Sequence, residues 1–235
     1  MGILNWIWDK INFLLIEGER YKLLLEALGN TLLIAFLAVL VGIVIGVVVA
    51  IGKVATQTSK KLFLIRWICN IYITVIRGTP VYVQLLIFYY AVFPMVFKTS
   101  NPLLAGVVTF GLNSGAYVAE IVRAGIQSVD IGQTEASRSL GLSSFQTMKS
   151  IVLPQAVKTI LPALGNEFIV LIKETAIIGV TSMYDLTKWA ERLNSFSFDM
   201  FTPLLFVSAI YLVLVLGLTK LLQILERRLG KSDRR

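Results

Sequence analysis

The chain has 235 residues, 56% of them hydrophobic, and its mean hydropathy is +0.77. A soluble domain of this length cannot bury so much apolar surface, so we expect the chain to lie in a membrane. Its formal net charge is +8. The basic residues flank apolar runs instead of clustering on one polar face, which argues against a nucleic-acid binder. The chain has no His and a single cysteine, Cys69, so we predict neither a metal site nor a catalytic residue.

Five apolar segments predict five membrane-spanning helices in one permease domain that covers residues 1–235. A helix needs about 20 mostly apolar residues to cross a bilayer. The predicted spans cover approximately residues 23–52, 62–93, 102–122, 151–172 and 202–225. The second span is interrupted by Arg77-Gly78-Thr79-Pro80. Because Pro80 removes a backbone donor and disfavours helix at Thr79, we expect a kink or break there.

Five spans place the two ends of the chain on opposite sides of the membrane. Most of the 22 basic residues fall on the side of the C-terminus. The positive-inside rule therefore predicts a cytoplasmic C-terminus and an external N-terminus. The basic residues on that side include Lys60, Lys61, Lys231, Arg234 and Arg235. Before the first span, Met1–Tyr21 combines aromatic and charged residues, which predicts an amphipathic helix on the outer leaflet.

The cytoplasmic loop over residues 128–148 carries the most informative pattern. Asp130 with Gln133 has the spacing of a capping box, so a helix is expected to begin near Ile131. Gly141 is suited to ending that helix, and Ser143 with Gln146 repeats the capping pattern. The short helix between them has almost no apolar stripe and would be marginal alone. Two interpretations stay open: it docks on another protein, or it is an ordinary polar loop that is helical.

The same loop resembles the EAA loop of binding-protein-dependent ABC importer permeases. That pattern reads Glu-Ala-Ala, three residues, Gly, nine residues and Ile-x-Leu-Pro. This chain has Glu135-Ala136-Ser137, then Gly141, then Ile151-Val152-Leu153-Pro154, and every spacing matches. Ser137 is the one departure, and it replaces a small residue with a small residue. The segments Arg77–Pro80 and Gly165–Phe168 are similar to those of permeases for polar amino acids.

The resemblance implies a mechanism and a set of partners. Two permease chains, which we expect to be identical, would form a path between them, fed by an extracytoplasmic binding protein and surrounded by bacterial plasma-membrane lipid. A dimer of ATP-binding subunits would hold the ATP and Mg²⁺, and this chain would hold no cofactor. The resemblance implies that coupling to that ATPase runs through five residues of the loop: Glu135, Ala136, Ser137, Gly141 and Leu142.

Polar residues inside the spans are candidates for contact with cargo, because ionisable groups at membrane depth are costly. Glu167 lies well inside the fourth span beside Asn166. The pair either lines the path and binds a cationic group, or Glu167 makes a purely structural contact between helices. Arg77 either holds a carboxylate or caps a broken helix. Gln84 and Asn113 (and Ser114) either face the path or join helices.

The outer loop predicted between the fourth and fifth spans, Lys173–Asp199, holds four acidic residues: Glu174, Asp185, Glu191 and Asp199. Together with Glu167 they favour a cationic amino acid over an acidic one. We include Asp199 from this loop among the candidate cargo residues.

Two other classes of protein are weighed against the ATP-driven importer. An ion-gradient-driven secondary transporter would also have broken helices and intramembrane charges, but it would not need the Glu135–Pro154 pattern. An intramembrane enzyme is disfavoured because the chain lacks His and paired intramembrane carboxylates. The chain also has no phosphate loop of the G-x-x-x-x-G-K-[ST] type, so the ATPase must be a separate subunit.

Overall fold

A computed structural model of the chain describes residues 2–57 and 62–230, and within them it is almost entirely helical, with no strand. The helices are α1 (Ile3–Ile11), α2 (Arg20–Gln57), α3 (Phe63–Gly78), α4 (Val81–Phe97), α5 (Pro102–Gln127), α6 (Ile131–Ser139), α7 (Ser144–Thr147), α8 (Leu153–Glu174), α9 (Leu186–Ser197) and α10 (Phe201–Gly230). Short π-helical turns interrupt α4 and join α7 to α8. The basic residues Lys60, Lys61, Lys231, Arg234 and Arg235, used for the orientation, lie outside the described residues.

Within the described residues, three helices are long and apolar enough to cross a membrane. The first is Trp8–Val54, which includes most of α2. The second is α5, and the third is most of α10. Helices α3 and α4 add a fourth span if the two are counted as one. They meet at an angle of 105° at the predicted break, where Pro80 immediately precedes α4. The predicted fourth span corresponds to α8, which is not among them. Five spans therefore stay a prediction.

The centre of the bundle is the parallel contact between α2 and α5. A β-carbon at Gly42 would lie 2.8 Å from that of Ser114, and one at Gly46 would lie 2.5 Å from that of Val118. The residue numbers rise together along both helices, so they run in the same direction. Small residues at this spacing allow two helix backbones to approach closely, as is common between membrane helices.

The other long helices alternate in direction around this pair. On α8, Glu167 contacts Ser114 of α5 and Ile160 lies against Gly125, so α8 is antiparallel to α5. On α3, the Tyr72 hydroxyl donates to the Leu112 carbonyl at 2.6 Å. Because α6 lies in the connection between the antiparallel helices α5 and α8, it is at one end of the bundle, which we call the coupling end.

The opposite end is closed by α9 and the N-terminal segment, in a region that the sequence predicted only as an acidic loop. Leu14, Leu186, Trp189 and Val207 form a buried cluster there. Asp185 begins α9 by accepting hydrogen bonds from the amides of Thr187 and Lys188. We call this the outer end.

Candidate functional site

Helix α6 has the boundaries that the sequence predicts. The Asp130 side chain caps its start by accepting from the Gly132 amide at 2.6 Å, so the predicted reciprocal pair with Gln133 is replaced by this shorter-range bond. Gly141 ends it with a φ of +84°, a conformation that favours glycine. The Leu142 amide donates to the Ser137 carbonyl and the Gly141 amide to the Arg138 carbonyl, at 3.2 and 3.0 Å. These two bonds make a Schellman cap.

Helix α6 presents an unusually open surface at the coupling end. Glu135 and Ala136 are exposed, and Leu142 is half-buried. Three apolar side chains around the helix are also largely exposed: Ile131 at 74%, Leu140 at 84% and Phe145 at 74%. Exposed apolar groups gathered beside a polar helix are typical of a protein interaction surface.

Ser137 is the exception on α6, because it is buried. Its hydroxyl oxygen lies 3.1 Å from that of Thr147 on α7, and it also donates to the Thr134 carbonyl at 2.9 Å. The small residue at this position thus joins α6 to the start of the helix that leads into α8. The Ser143–Gln146 capping box at the start of α7 is present as predicted.

A second group of polar residues combines four buried side chains with the exposed Arg77, and we call it the polar cluster: Arg77, Gln84, Asn113, Ser114 and Glu167. Its centre is the Glu167 carboxylate, which is 8% exposed and accepts a hydrogen bond from the Ser114 hydroxyl at 2.8 Å. A buried carboxylate with one neutral donor is incompletely compensated. It therefore has capacity for a further donor.

Gln84 connects this centre to the break between α3 and α4. Its amide nitrogen donates to the Ile76 carbonyl at 2.8 Å and to the Thr79 hydroxyl at 2.9 Å. Its carbonyl oxygen accepts from the Asn113 amide at 3.4 Å. The side chain thus satisfies backbone that the break leaves without a helical partner, so its hydrogen bonds serve the structure first.

Arg77 lies in the last turn of α3, where a cation interacts favourably with the helix dipole. Its guanidinium stacks on the Tyr117 ring, 4.8 Å from the ring centroid, and its charge is within electrostatic reach of Glu167. The side chain is exposed in this single chain. The polar cluster therefore contains an exposed cation and a buried anion.

Two candidate residues lie apart from the polar cluster. Asn166 is exposed, because neighbouring residues on a helix point about 100° apart and Glu167 takes the inward direction. Asp199 lies at the outer end, where it pairs with Lys10 at 2.5 Å and accepts from the Thr202 amide and hydroxyl at the start of α10. These bonds hold the pKa of Asp199 well below its usual range. In the described chain Asp199 fastens α1 to α10.

Sequence reasoning missed the partners that complete the polar cluster. Tyr117 and Thr79 were not singled out, although Tyr117 lies three residues after Ser114 and so on the same face of α5. The sequence predicted Asp185 only as part of an acidic outer loop, whereas its carboxyl is fully buried at the outer end. Burial raises the pKa of Asp185 to about 6.

Comparison with known proteins decides the family. A profile described as "Binding-protein-dependent transport system inner membrane component" matches residues 42–231. The chain belongs to this family. It is 39% identical to the putative glutamine transport system permease protein GlnP of Rickettsia typhi, over 93% of this chain and 98% of that protein. It is also 39% identical to the arginine transport system permease protein ArtQ of Bacillus subtilis, over 89% of this chain and 94% of that one.

Solved structures agree with this assignment. A chain from the crystal structure of an amino acid ABC transporter with histidines is 44% identical and superposes with a TM-score of 0.83, over 90% of this chain and 96% of that one. The MetNI methionine ABC transporter, at 20% identity and a TM-score of 0.76, shares the fold. The predicted type I ABC importer permease is confirmed. This family member is a membrane permease subunit of an amino acid ABC importer, and the comparisons support that prediction over the secondary transporter.

Proposed function

We propose that this permease subunit carries a polar, cationic amino acid inward and takes its energy from a separate ATPase dimer docked on α6. The observation that carries the proposal is a physical connection. The exposed helix α6 is joined through Ser137 and Thr147 to α7, and the same helical run continues into α8, which holds Glu167. One segment thus links a docking surface to the buried carboxylate.

We propose that the chain crosses the membrane five times, with the bent pair α3 and α4 as one span and α8 as another. The five long segments alternate in direction, which supports this arrangement. The N-terminus then lies outside and the C-terminus, with the coupling end, in the cytoplasm. The excess of basic residues on the coupling side supports this orientation. A reporter fused after Arg235 and active only outside the cell would overturn it.

At the coupling end, Glu135, Ala136, Ser137, Gly141 and Leu142 are proposed to transmit movement from the ATPase. ATP and Mg²⁺ belong to that partner, and this chain supplies only shape and contacts. Exposed Ile131 and Leu140 give the partner an apolar surface to bury, while the caps at both ends keep the helix formed before it docks.

For the cargo, Glu167 is proposed to bind a cationic group and Arg77 the carboxylate of the amino acid. The buried Glu167 attracts a cation strongly, because charges interact more strongly away from water. Gln84 and Asn113 line the same region and would supply polar contacts, and Asn166 would face the path from the exposed side of α8. Relatives named for glutamine and for arginine support a polar cargo.

The assembly is proposed to contain a second, identical permease chain and an extracytoplasmic binding protein. Closed twofold symmetry is the commonest arrangement of oligomers, and Arg77 is exposed in the single chain, where a partner would enclose it. Asp199 would stand at the outer end, where cargo arrives. Co-expression of two differently tagged copies of this chain tests the pairing. Purification through one tag should recover the other tag if the two permease chains are identical, and should not recover it if the second permease is a different chain.

The test of function uses the whole assembly in proteoliposomes, with its ATPase subunit and binding protein. We expect arginine to stimulate ATP hydrolysis most, glutamine less and glutamate least. Stimulation by glutamate alone would overturn the cationic cargo. Gly141→Val is expected to reduce substrate-stimulated hydrolysis and transport strongly, because a β-branched residue is poorly suited to the left-handed backbone at this position. If both persist, or if no ATPase subunit copurifies with the unmodified chain, the coupling assignment is wrong.

A further inference from the structure

A polar cleft opens at the coupling end between α2, α3 and α5, away from the polar cluster. We call it the basic cleft, and its lining residues are Lys53, Arg66, Asn70, Glu120 and Arg123. Three of these side chains are cationic and one is anionic, so the cleft has a net positive charge. Such an excess of cations on a membrane protein attracts an anion.

Glu120 organises the cations of two helices. One of its oxygens accepts from Lys53 Nζ at 2.9 Å, and the other accepts from Arg123 Nε and Nη2 at 2.9 and 2.7 Å. Arg123 Nη1 donates to the Gln127 side chain. This carboxylate fixes where the head groups of the two cations lie. The cleft is thus preorganised on this wall.

The opposite wall consists of Arg66 and Asn70, one turn apart on α3 and therefore on the same face. Both side chains are exposed. Within residues 2–57 and 62–230, no carboxylate lies at ion-pair distance from Arg66. A guanidinium and an amide on this wall suit the oxygen atoms of a phosphate group, which arginine binds with two parallel hydrogen bonds.

An apolar strip continues from this wall along α3. Phe63 lies three residues before Arg66 and Trp67 three residues before Asn70, and their side chains are 70% and 55% exposed. Tryptophan is enriched at the level of lipid head groups, where its ring contacts both polar and apolar groups. A free phosphate ion would not use this strip, whereas a phospholipid would lay its acyl chains along it.

We propose that the basic cleft binds the phosphate of an anionic phospholipid, with its acyl chains along Phe63 and Trp67. Arg66 is the principal contact, and Asn70 donates to the same phosphate. With the orientation proposed above, the lipid belongs to the cytoplasmic leaflet, where a polybasic surface gains from anionic lipid. The binding itself requires neither ATPase activity nor a particular orientation. Its failure is therefore distinguishable from failure of the proposed function.

The test follows the thermal unfolding of the detergent-solubilised assembly during titration with phosphatidylglycerol. Arg66→Gln is compared with Arg227→Gln, which removes an exposed arginine from the same end of the bundle on α10. We expect phosphatidylglycerol to raise the unfolding temperature. The phosphatidylglycerol concentration that gives half of the rise in unfolding temperature should be about fivefold higher for Arg66→Gln, because one basic residue typically contributes that much to the binding of anionic lipid. In Arg227→Gln it should not change. Asn70→Ala, which leaves every charge in place, should weaken the lipid effect in the same direction.

Four outcomes would overturn the proposal. An equal response to phosphatidylcholine would mean that the apolar strip alone binds lipid. An equal response to inorganic phosphate would mean that the cleft takes a free anion. Equal loss in Arg66→Gln and Arg227→Gln would mean a general surface attraction, and no response in any variant would mean that another chain of the assembly covers α3.

Discussion

Gly141 offers the sharpest test of the coupling segment, because the structure isolates one physical effect there. Its φ is +84°, and no atom lies within 4 Å of the position that a β-carbon would take. A side chain at this position therefore meets no neighbour in the chain. The effect of a substitution comes from the backbone conformation alone.

The magnitude follows from that conformation. An ordinary L-residue loses about 1–2 kcal/mol in the left-handed region, asparagine loses less, and a β-branched residue is the least suited of all. Helix α6 has nine residues and a poor apolar stripe, so little else stabilises its end. A change of 1–2 kcal/mol alters the population of the capped helix by about 5–30-fold.

The assay is substrate-stimulated ATP hydrolysis and uptake by the complete assembly in proteoliposomes. We expect Gly141→Asn to stay near the unmodified chain, Gly141→Ala to fall about fivefold, and Gly141→Val to fall further. The amount of copurifying ATPase serves as the control for assembly. If asparagine and valine are equally harmful, the partner contacts this position and the left-handed backbone is not what matters. If all three variants are fully active, the cap has no part in coupling.

Three further predictions concern other parts of the chain. Glu167→Gln should raise the arginine concentration that gives half-maximal ATPase stimulation by about 10–100-fold, because a hydrogen bond to a charged group contributes about 1.5–3 kcal/mol. The same variant should change the response to glutamine much less. Asp185, with a pKa raised to about 6 from 3.8, binds its proton more tightly in the folded chain. The stability that Asp185 contributes should therefore be fully present below about pH 4 and be lost, by up to about 3 kcal/mol, as pH rises through 6. The difference between the thermal-unfolding profiles of the unmodified chain and Asp185→Asn should isolate this contribution. Gly46→Val should lower the unfolding temperature through a cost of about 1–3 kcal/mol against α5, whereas Gly29→Ala, where space is open, should raise it slightly.

Local chemistry determines the parts of the fold that could be predicted. Asp130, Gly141 and Ser143 act on backbone within a few residues of themselves, so the bounds of α6 follow from the sequence. The break before α4 follows from Pro80 in the same way.

Helix α9 was missed although its signals were present. Leu186, Trp189, Ala190 and Leu193 have helical spacing and are buried, and Asp185 precedes them as a cap. The charges between these positions made the segment resemble a loop, because an amphipathic surface helix carries polar residues on its other face.

The polar cluster could be predicted only as a set of residues and not as an arrangement. Ser114 and Glu167 are 53 residues apart, and their contact depends on how α8 is rotated and shifted against α5. That register is set by close packing of small residues such as Gly125 against α8, which acts through shape along the whole contact. The same rotation turns Asn166 outward. No local pattern separates these two neighbours.

The position of Glu167 on α8 bears on how the subunit works. Leu153 and Glu167 lie on the same helix, and the fourteen residue steps between them span about 21 Å, with Pro162 removing one backbone hydrogen bond on the way. Its start follows directly from α7, which Thr147 fastens to Ser137 of α6. The parallel pair α2 and α5, packed through glycines, gives Ser114 a rigid support. A displacement of α6 is therefore expected to move Glu167 relative to Ser114, because α6 is connected through α7 to α8 while α5 is held by α2. The hydrogen bond between those two side chains is the contact at which movement at the coupling end would alter the environment of the cargo.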